Sequence, residues 1–233
     1  MNKGNTYIFI YSVVMVIIVA AVLSTAAMLL KPYQDKNIMI EKKLNILSSV
    51  MDEKPEKKDV EMLYKERVTE SFAINNKGEI LEGIDAFDVD LKKEMRKSPE
   101  ERALPVFIYS YQGNTNLIVP VIGKGLWGPI WGYVSFENDF NTIHGVSFDH
   151  KSETPGLGAE INTQWFMSPF KGKKIFDESG KFVSITVVKG GADPNSLHQV
   201  DGISGGTITS KALEKMLIDC IVSYESYFKS QNK

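Results

Sequence analysis

The chain has 233 residues, 43% of them hydrophobic, with 27 basic against 29 acidic side chains and a formal charge of −2 at pH 7. Nothing in that near balance favours nucleic acid, so no nucleic-acid partner is expected. A single cysteine, Cys220, rules out an intrachain disulfide and a thiolate ligand set for an iron–sulfur cluster.

Tyr7 to Leu30 contains no charged residue. As a helix rising ~1.5 Å per residue it covers ~36 Å, enough for the ~30 Å hydrocarbon core of a bilayer. Residues 1–30 are therefore predicted to be a transmembrane anchor with a short N-terminal tail. A cleaved signal peptide would have a shorter apolar region, roughly 7–15 residues, and Ser24-Thr25-Ala26-Ala27 is a weak cleavage site. No second apolar run of this length occurs, so a single pass is expected. Lys3 precedes the span, whereas Lys31, Lys36, Lys42 and Lys43 follow it. A plain positive-inside count puts the following domain in the cytoplasm, although that rule weakens for segments longer than ~60 residues.

Residues 31–59 are predicted to form a membrane-proximal helix and linker. Ile40, Leu44, Leu47 and Met51 recur at helical spacing, and the charged run Asp52 to Asp59, with Pro55 inside it, ends the pattern. A folded domain is expected over 60–233. It begins with a short helix at 60–68, then a hairpin whose arms, 71–75 and 79–84, flank Asn76-Lys77-Gly78. Runs 104–109, 117–122, 130–136 and 146–148 are rich in β-formers, and Val183, Ile185 and Val187 alternate with Ser184 and Thr186. Leu213, Met216, Leu217, Cys220, Ile221 and Tyr224 form a helical stripe, so Cys220 reads as a buried thiol. The class is α/β of the α+β type, a mixed sheet with flanking helices.

Immediately before that helix stands Asp201-Gly202-Ile203-Ser204-Gly205-Gly206-Thr207-Ile208-Thr209-Ser210. Glycines allow close backbone approach, and the free N–H groups and positive dipole end of a helix favour an anion, so this is the layout of a phosphate site. An ordinary strand-to-helix turn, with Thr209 or Ser210 as cap, uses the same residue types. Two more glycine-rich loops occur, Gly123-Lys124-Gly125-Leu126-Trp127-Gly128-Pro129 and Glu153-Thr154-Pro155-Gly156-Leu157-Gly158. Trp127 is expected to be a core aromatic between strand ends, with direct contact to a bound cofactor the lesser alternative. His144, His150 and His198 lack metal-ligand spacing, so no metal is expected. Neither Gly-x-Ser-x-Gly nor Gly-x-Gly-x-x-Gly is present, which argues against a serine nucleophile elbow and against NADH binding by this chain.

The 201–210 stretch resembles the flavinylation motif, Asp-x-x-Ser/Thr-Gly-Ala-Thr, of two related families. These are the covalent FMN-binding C subunit of the Na+-translocating NADH:quinone oxidoreductase and the G subunit of the Rnf electron-transport complex. The other two loops resemble the Gly-x-Gly-Leu-Trp and Glu-Thr-Pro-Gly-Leu-Gly segments of the same proteins, in the same order. The first of these loops and the overall length favour the sodium-pump family; the Rnf-type family is the alternative, and a non-redox membrane-anchored assembly protein the second. Gly206 replaces the usual alanine, which loosens the backbone by up to ~1 kcal/mol but adds no bulk.

The resemblance implies FMN held covalently through a phosphoester on Thr207. A flavin transferase would use FAD as donor, and AMP would leave. Ser204, Gly205, Gly206 and Thr209 would surround the phosphate. Glu153, Thr154, Gly156, Leu157 and Gly158 would contact the isoalloxazine, with the Gly156 and Gly158 amides toward its pyrimidine edge. No residue would be catalytic in its own right, because an electron carrier needs only a positioned redox cofactor. The implied partners are the A, B, D, E and F subunits of a redox-driven sodium pump that oxidises NADH and reduces ubiquinone. The implied location is the inner membrane, with the flavin domain on the periplasmic side, against the lysine count.

Overall fold

The computed structural model describes residues 3–231; the first two residues of the N-terminal tail and the last two of the chain lie outside that description. The chain divides into two compact units, Met1–Lys42 and Lys43–Lys233.

The first unit is the greater part of one helix, α1 (Lys3–Ser48), which is long and apolar enough to cross a membrane. The side chains from Tyr7 to Leu30 are solvent-exposed throughout, as expected of a surface made for lipid. The apolar span and the stripe at Ile40, Leu44 and Leu47 fall in one continuous helix that contains Pro32. Its final turn belongs to the second unit. There Leu44, Ile46 and Leu47 are buried, and in the turn just after the helix Ser135 Oγ donates to Ser49 O at 2.5 Å and His144 Nε2 lies 3.1 Å from Val50 O.

The second unit opens with α2 (Val60–Arg67) and the hairpin β1 (Val68–Ile74) and β2 (Ile80–Leu81), turned by Gly78 at φ +84°. The single turn α3 (Leu91–Glu94) follows; the Asp90 side chain caps it, accepting from the N–H groups of Lys92 and Lys93. Four longer strands come next: β3 (Leu104–Tyr111), β4 (Asn114–Lys124), β5 (Pro129–Phe136) and β6 (Ile143–His150). The six strands make one antiparallel sheet in the order β2-β1-β3-β4-β5-β6. The chain continues through α4 (Gln164–Met167) to β7 (Thr186–Val188) and β8 (Gln199–Asp201), a separate parallel pair. It closes with α5 (Thr207–Ile221) and α6 (Glu225–Gln231).

The α/β class is the one expected, with its strands divided between an antiparallel sheet and a parallel pair. β7 starts later than the alternation of Val183, Ile185 and Val187 suggests. Ser184 sits at φ +58°, and both Val183 N–H and Ser184 N–H donate to Ile175 O, so the backbone turns before it can pair.

The apolar stripe of α5 packs on the β4 region of the sheet. Leu213, Met216, Leu217, Cys220, Ile221 and Tyr224 are buried in one core with Val119, Val121 and Phe136. Fully burying one such aliphatic side chain stabilises the fold by roughly 1.5–3 kcal/mol, so this stripe fixes where the N-terminus of α5 lies. Two polar contacts set its register: Cys220 Sγ donates to Ile122 O at 3.3 Å, and Tyr224 OH to Pro105 O at 3.1 Å. Burial pushes the Cys220 thiol up to about 11, so it is a packed core atom rather than a reactive nucleophile.

Candidate functional site

The β4–β5 connection is a tight loop in which Gly125 N–H donates to Gly128 O at 2.8 Å, projecting Leu126 and Trp127 outward. The expectation that Trp127 is a core aromatic fails. It is 67% exposed, because a four-residue hairpin end leaves no layer to cover it.

Below this loop lies Glu153, 4% exposed. Its Oε1 accepts from Trp127 N–H at 2.8 Å and its Oε2 from the Thr209 hydroxyl at 2.6 Å. The carboxylate thus joins the β4–β5 loop to the first turn of α5. Burial pushes its pKa up, but donation from Thr209 and from the N–H groups of Trp127, Gly128 and Leu126 outweighs burial and holds it below the ordinary carboxylate range. Two glycines make room for it. A Cβ on Gly125 would lie 2.6 Å from Glu153 Oε1, and one on Gly158 would lie 2.7 Å from Oε2.

The 201–210 stretch enters from β8. Gly202 N–H donates to Val188 O at 2.7 Å, the Asp201 carboxylate accepts from Ala192 N–H at 2.5 Å, and Ile203 N–H donates to Ser210 Oγ at 3.0 Å. Asp201 and Ser210 therefore fasten the loop from either end. Gly205 stands at φ +75°, and Gly206 is the N-cap of α5 with no side-chain cap. The first i→i−4 bond runs from Ser210 N–H to Gly206 O at 2.9 Å. The amides of Thr207, Ile208 and Thr209 lie ahead of it, at the positive end of the helix dipole.

Leu126, Glu153, Thr154, Leu157, Gly158, Gly205, Gly206, Thr207, Ile208 and Thr209 line one cleft of about 250 Å³. Three loops separated by some eighty residues of sequence thus converge on Thr207, which is half-buried in the cleft wall. The glycines shape the cleft by what they lack. A Cβ on Gly205 would come 2.6 Å from Leu157 Cδ2, and one on Gly206 would come 2.9 Å from Ile203 Cγ2 and 3.2 Å from the Leu157 carbonyl carbon. Gly206 therefore permits closer packing than an alanine would.

Of the residues singled out in the sequence, Ser204 and Gly156 lie off this lining. Ser204 is exposed in the turn before Gly205. Gly156, at φ +74°, faces open space and donates its N–H to Glu160 Oε1 at 3.1 Å. Thr154 is exposed, and its carbonyl accepts from the N–H groups of Leu157 and Ala159. The Thr209 hydroxyl is committed to Glu153.

Sequence reasoning missed Leu126 and Ile208 as lining residues. Each is an aliphatic beside a glycine loop or a helix start, a signal too common to stand out. Among the described residues no group of three or more His, Cys, Asp or Glu side chains is arranged to hold a metal ion.

A model of the FMN-binding domain family matches residues 125–222, a segment that contains the 153–158 and 201–210 stretches and the first loop from Gly125 onward. The Na(+)-translocating NADH-quinone reductase C subunit from Pseudomonas aeruginosa is 29% identical, over 93% of this chain and 91% of that protein. The Vibrio campbellii C subunit is 31% identical, over 85% of this chain and 83% of that protein. Among solved structures, the C subunit from Parabacteroides distasonis superposes with a TM-score of 0.80 at 43% identity, over 87% of this chain and 98% of that one. NqrC of Shewanella oneidensis superposes with a TM-score of 0.70 at 29% identity, over 83% and 97%.

Proposed function

The chain belongs to the family of the Na(+)-translocating NADH-quinone reductase C subunit, and from that premise we propose that it is an electron-carrying subunit whose FMN is esterified to Thr207. The observation that carries this reading is the position of Thr207: the first residue of α5, half-buried, in a cleft whose floor is glycine backbone.

The residues present fit the group. A phosphodiester keeps one negative charge, which suits the amides of Thr207 and Ile208 and the helix dipole. Gly205 and Gly206 leave the space beside those amides that a side chain would fill. A cleft of about 250 Å³ is smaller than the ~300–1,000 Å³ that a whole ligand of this kind occupies, which supports the phosphate end inside it and the ring outside. Exposed Leu126, Trp127, Leu157 and Ile208 offer an apolar surface at the rim for a flat ring. When bound, FMN would supply the one- and two-electron chemistry; the protein supplies attachment and orientation.

The residues divide the work. Thr207 is the acceptor: its Oγ–P bond forms as the pyrophosphate bond of FAD breaks on the flavin transferase, AMP leaves and the hydroxyl proton is released. Gly205, Gly206 and Gly158 give backbone room. Glu153 and Thr209 position rather than touch, since their polar atoms bond to each other and to the β4–β5 loop. Sodium movement, NADH oxidation and quinone reduction belong to the assembly with the A, B, D, E and F subunits.

Intact mass of the chain co-expressed with a flavin transferase tests the attachment. An FMN adduct lying on the peptide that contains Thr207 is expected, and an unmodified chain from an active complex would overturn the reading. We also place the flavin domain on the periplasmic side. A reporter fused after the last residue is expected to be active only outside the cytoplasm, and a cytoplasmic signal would restore the lysine count as the better guide.

A further inference from the structure

The β4–β5 loop borders a second depression, a groove of about 400 Å³ whose lining includes Gly128 at the loop's end and Lys124 just before its start. Its floor is apolar, made by Met95, Ile122 and Pro129, each half-buried. Its rim carries three exposed cations, Lys92, Arg96 and Lys124.

Neighbouring basic residues are matched with acids: Lys93 with Asp90 at 3.5 Å, Lys97 with Glu94 at 2.8 Å, and Lys215 with Asp219 at 2.9 Å. Among the described residues the side chains of Lys92, Arg96 and Lys124 have no such partner. Lys92 lies on the short helix α3 and Arg96 two residues past its end, so two like charges border the same groove. An apolar floor within a charged rim is the anatomy of a protein interface, where Arg is enriched over the rest of the surface. It falls short of the four to eight basic residues by which a membrane surface is typically held.

We propose that this groove receives an acidic segment of the protein that exchanges electrons with this chain, with carboxylates on Lys92, Arg96 and Lys124 and an apolar side chain on Met95, Ile122 and Pro129. That the partner exchanges electrons, and that the groove lies beside the ring, rest on the FMN reading; the groove itself and the acidic character of its occupant do not. The geometry behind the location is that the groove and the Thr207 cleft share one loop, Lys124 and Gly128 lining the first and Leu126 the second. A partner seated there lies beside the exposed Trp127 and the rim where the ring is placed, which suits short-range transfer.

The test uses the full chain in the assembled complex. A photoreactive amino acid in place of Met95 is expected to cross-link to an acidic peptide of another subunit, identified by mass spectrometry. Lys92→Glu/Arg96→Glu/Lys124→Glu is expected to abolish that cross-link. It should also slow NADH-driven flavin reduction on the order of tenfold at low salt and erase the salt dependence of the wild-type rate, while in-gel flavin fluorescence is retained. The triple alanine variant should fall between the two. Cross-linking only to phospholipid or to a second copy of this chain, or an unchanged rate and salt slope in the charge-reversed variant, overturns the proposal. Loss of flavin from the wild-type chain would instead strike the Thr207 reading, because the cross-link reports on the groove without flavin.

Discussion

Two glycine-rich loops of similar composition meet at the cleft and use their polar groups in opposite ways. The 153–158 loop turns inward. Glu153 accepts from Thr209 and Trp127, the Thr154 carbonyl accepts from Leu157 and Ala159, and Gly156 N–H goes to Glu160. The 201–207 stretch is fastened at Asp201 and Ile203, then presents the Thr207 hydroxyl and the first amides of α5 outward. Composition marks both as loops; only the destination of each donor and acceptor separates a loop that positions from one that binds.

The largest expected effect breaks the outward loop. Thr207→Ala should remove all covalent flavin, read as in-gel fluorescence after co-expression with the transferase, while folding stability shifts by no more than about 0.5 kcal/mol for a half-exposed side chain. Thr207→Ser keeps the hydroxyl and should retain at least partial labelling. Residual full labelling in the alanine variant would assign the ester elsewhere.

The inward loop should respond in stability first. Glu153→Ala leaves the Trp127 N–H and the Thr209 hydroxyl without their acceptor, a loss of about 3 kcal/mol in denaturant unfolding, with labelling reduced as the β4–β5 loop and α5 come apart. The pH dependence follows from the lowered pKa of Glu153. Its contribution is fully present above the unfolded carboxylate value of about 4.3 and fades as pH falls through the lower folded value. Stability from this group is therefore unchanged between pH 7 and pH 5. Glu153→Gln should flatten the acid limb of the stability profile, and an identical limb in the variant would show that the clasp is not ionised.

A matched glycine pair sharpens the contrast. Gly205 and Gly156 have nearly the same backbone angle, φ +75° and +74°, so valine at either costs about 1–2 kcal/mol of left-handed strain. Only at Gly205 does the added Cβ meet a neighbour, Leu157. Gly205→Val should lower both stability and labelling.

Gly156→Val, the smallest effect, should keep full labelling and change the flavin absorption spectrum only through a displaced Leu157. Equal loss of labelling in both valine variants would mean that the two loops act as one binding surface.

Much of this molecule is visible in local pattern. The uncharged run from Tyr7 to Leu30, the helical stripe from Leu213 to Tyr224 and the hairpin around Gly78 announce themselves because periodicity and turn chemistry are properties of neighbours in the chain. The glycine–hydroxyl stretch before α5 is legible for the same reason, since a helix start has local rules. Tertiary structure alone decided the rest. It spent the Thr209 hydroxyl on Glu153 and left Trp127 outside the core. It also carried Leu126 and Ile208 to a common rim, and gathered Lys92, Arg96 and Lys124 around one groove. Each of these depends on which side chain lies across a gap from which other. A buried carboxylate must find its donors wherever the packing of α5 on the sheet brings them, and sequence separation carries no trace of that distance.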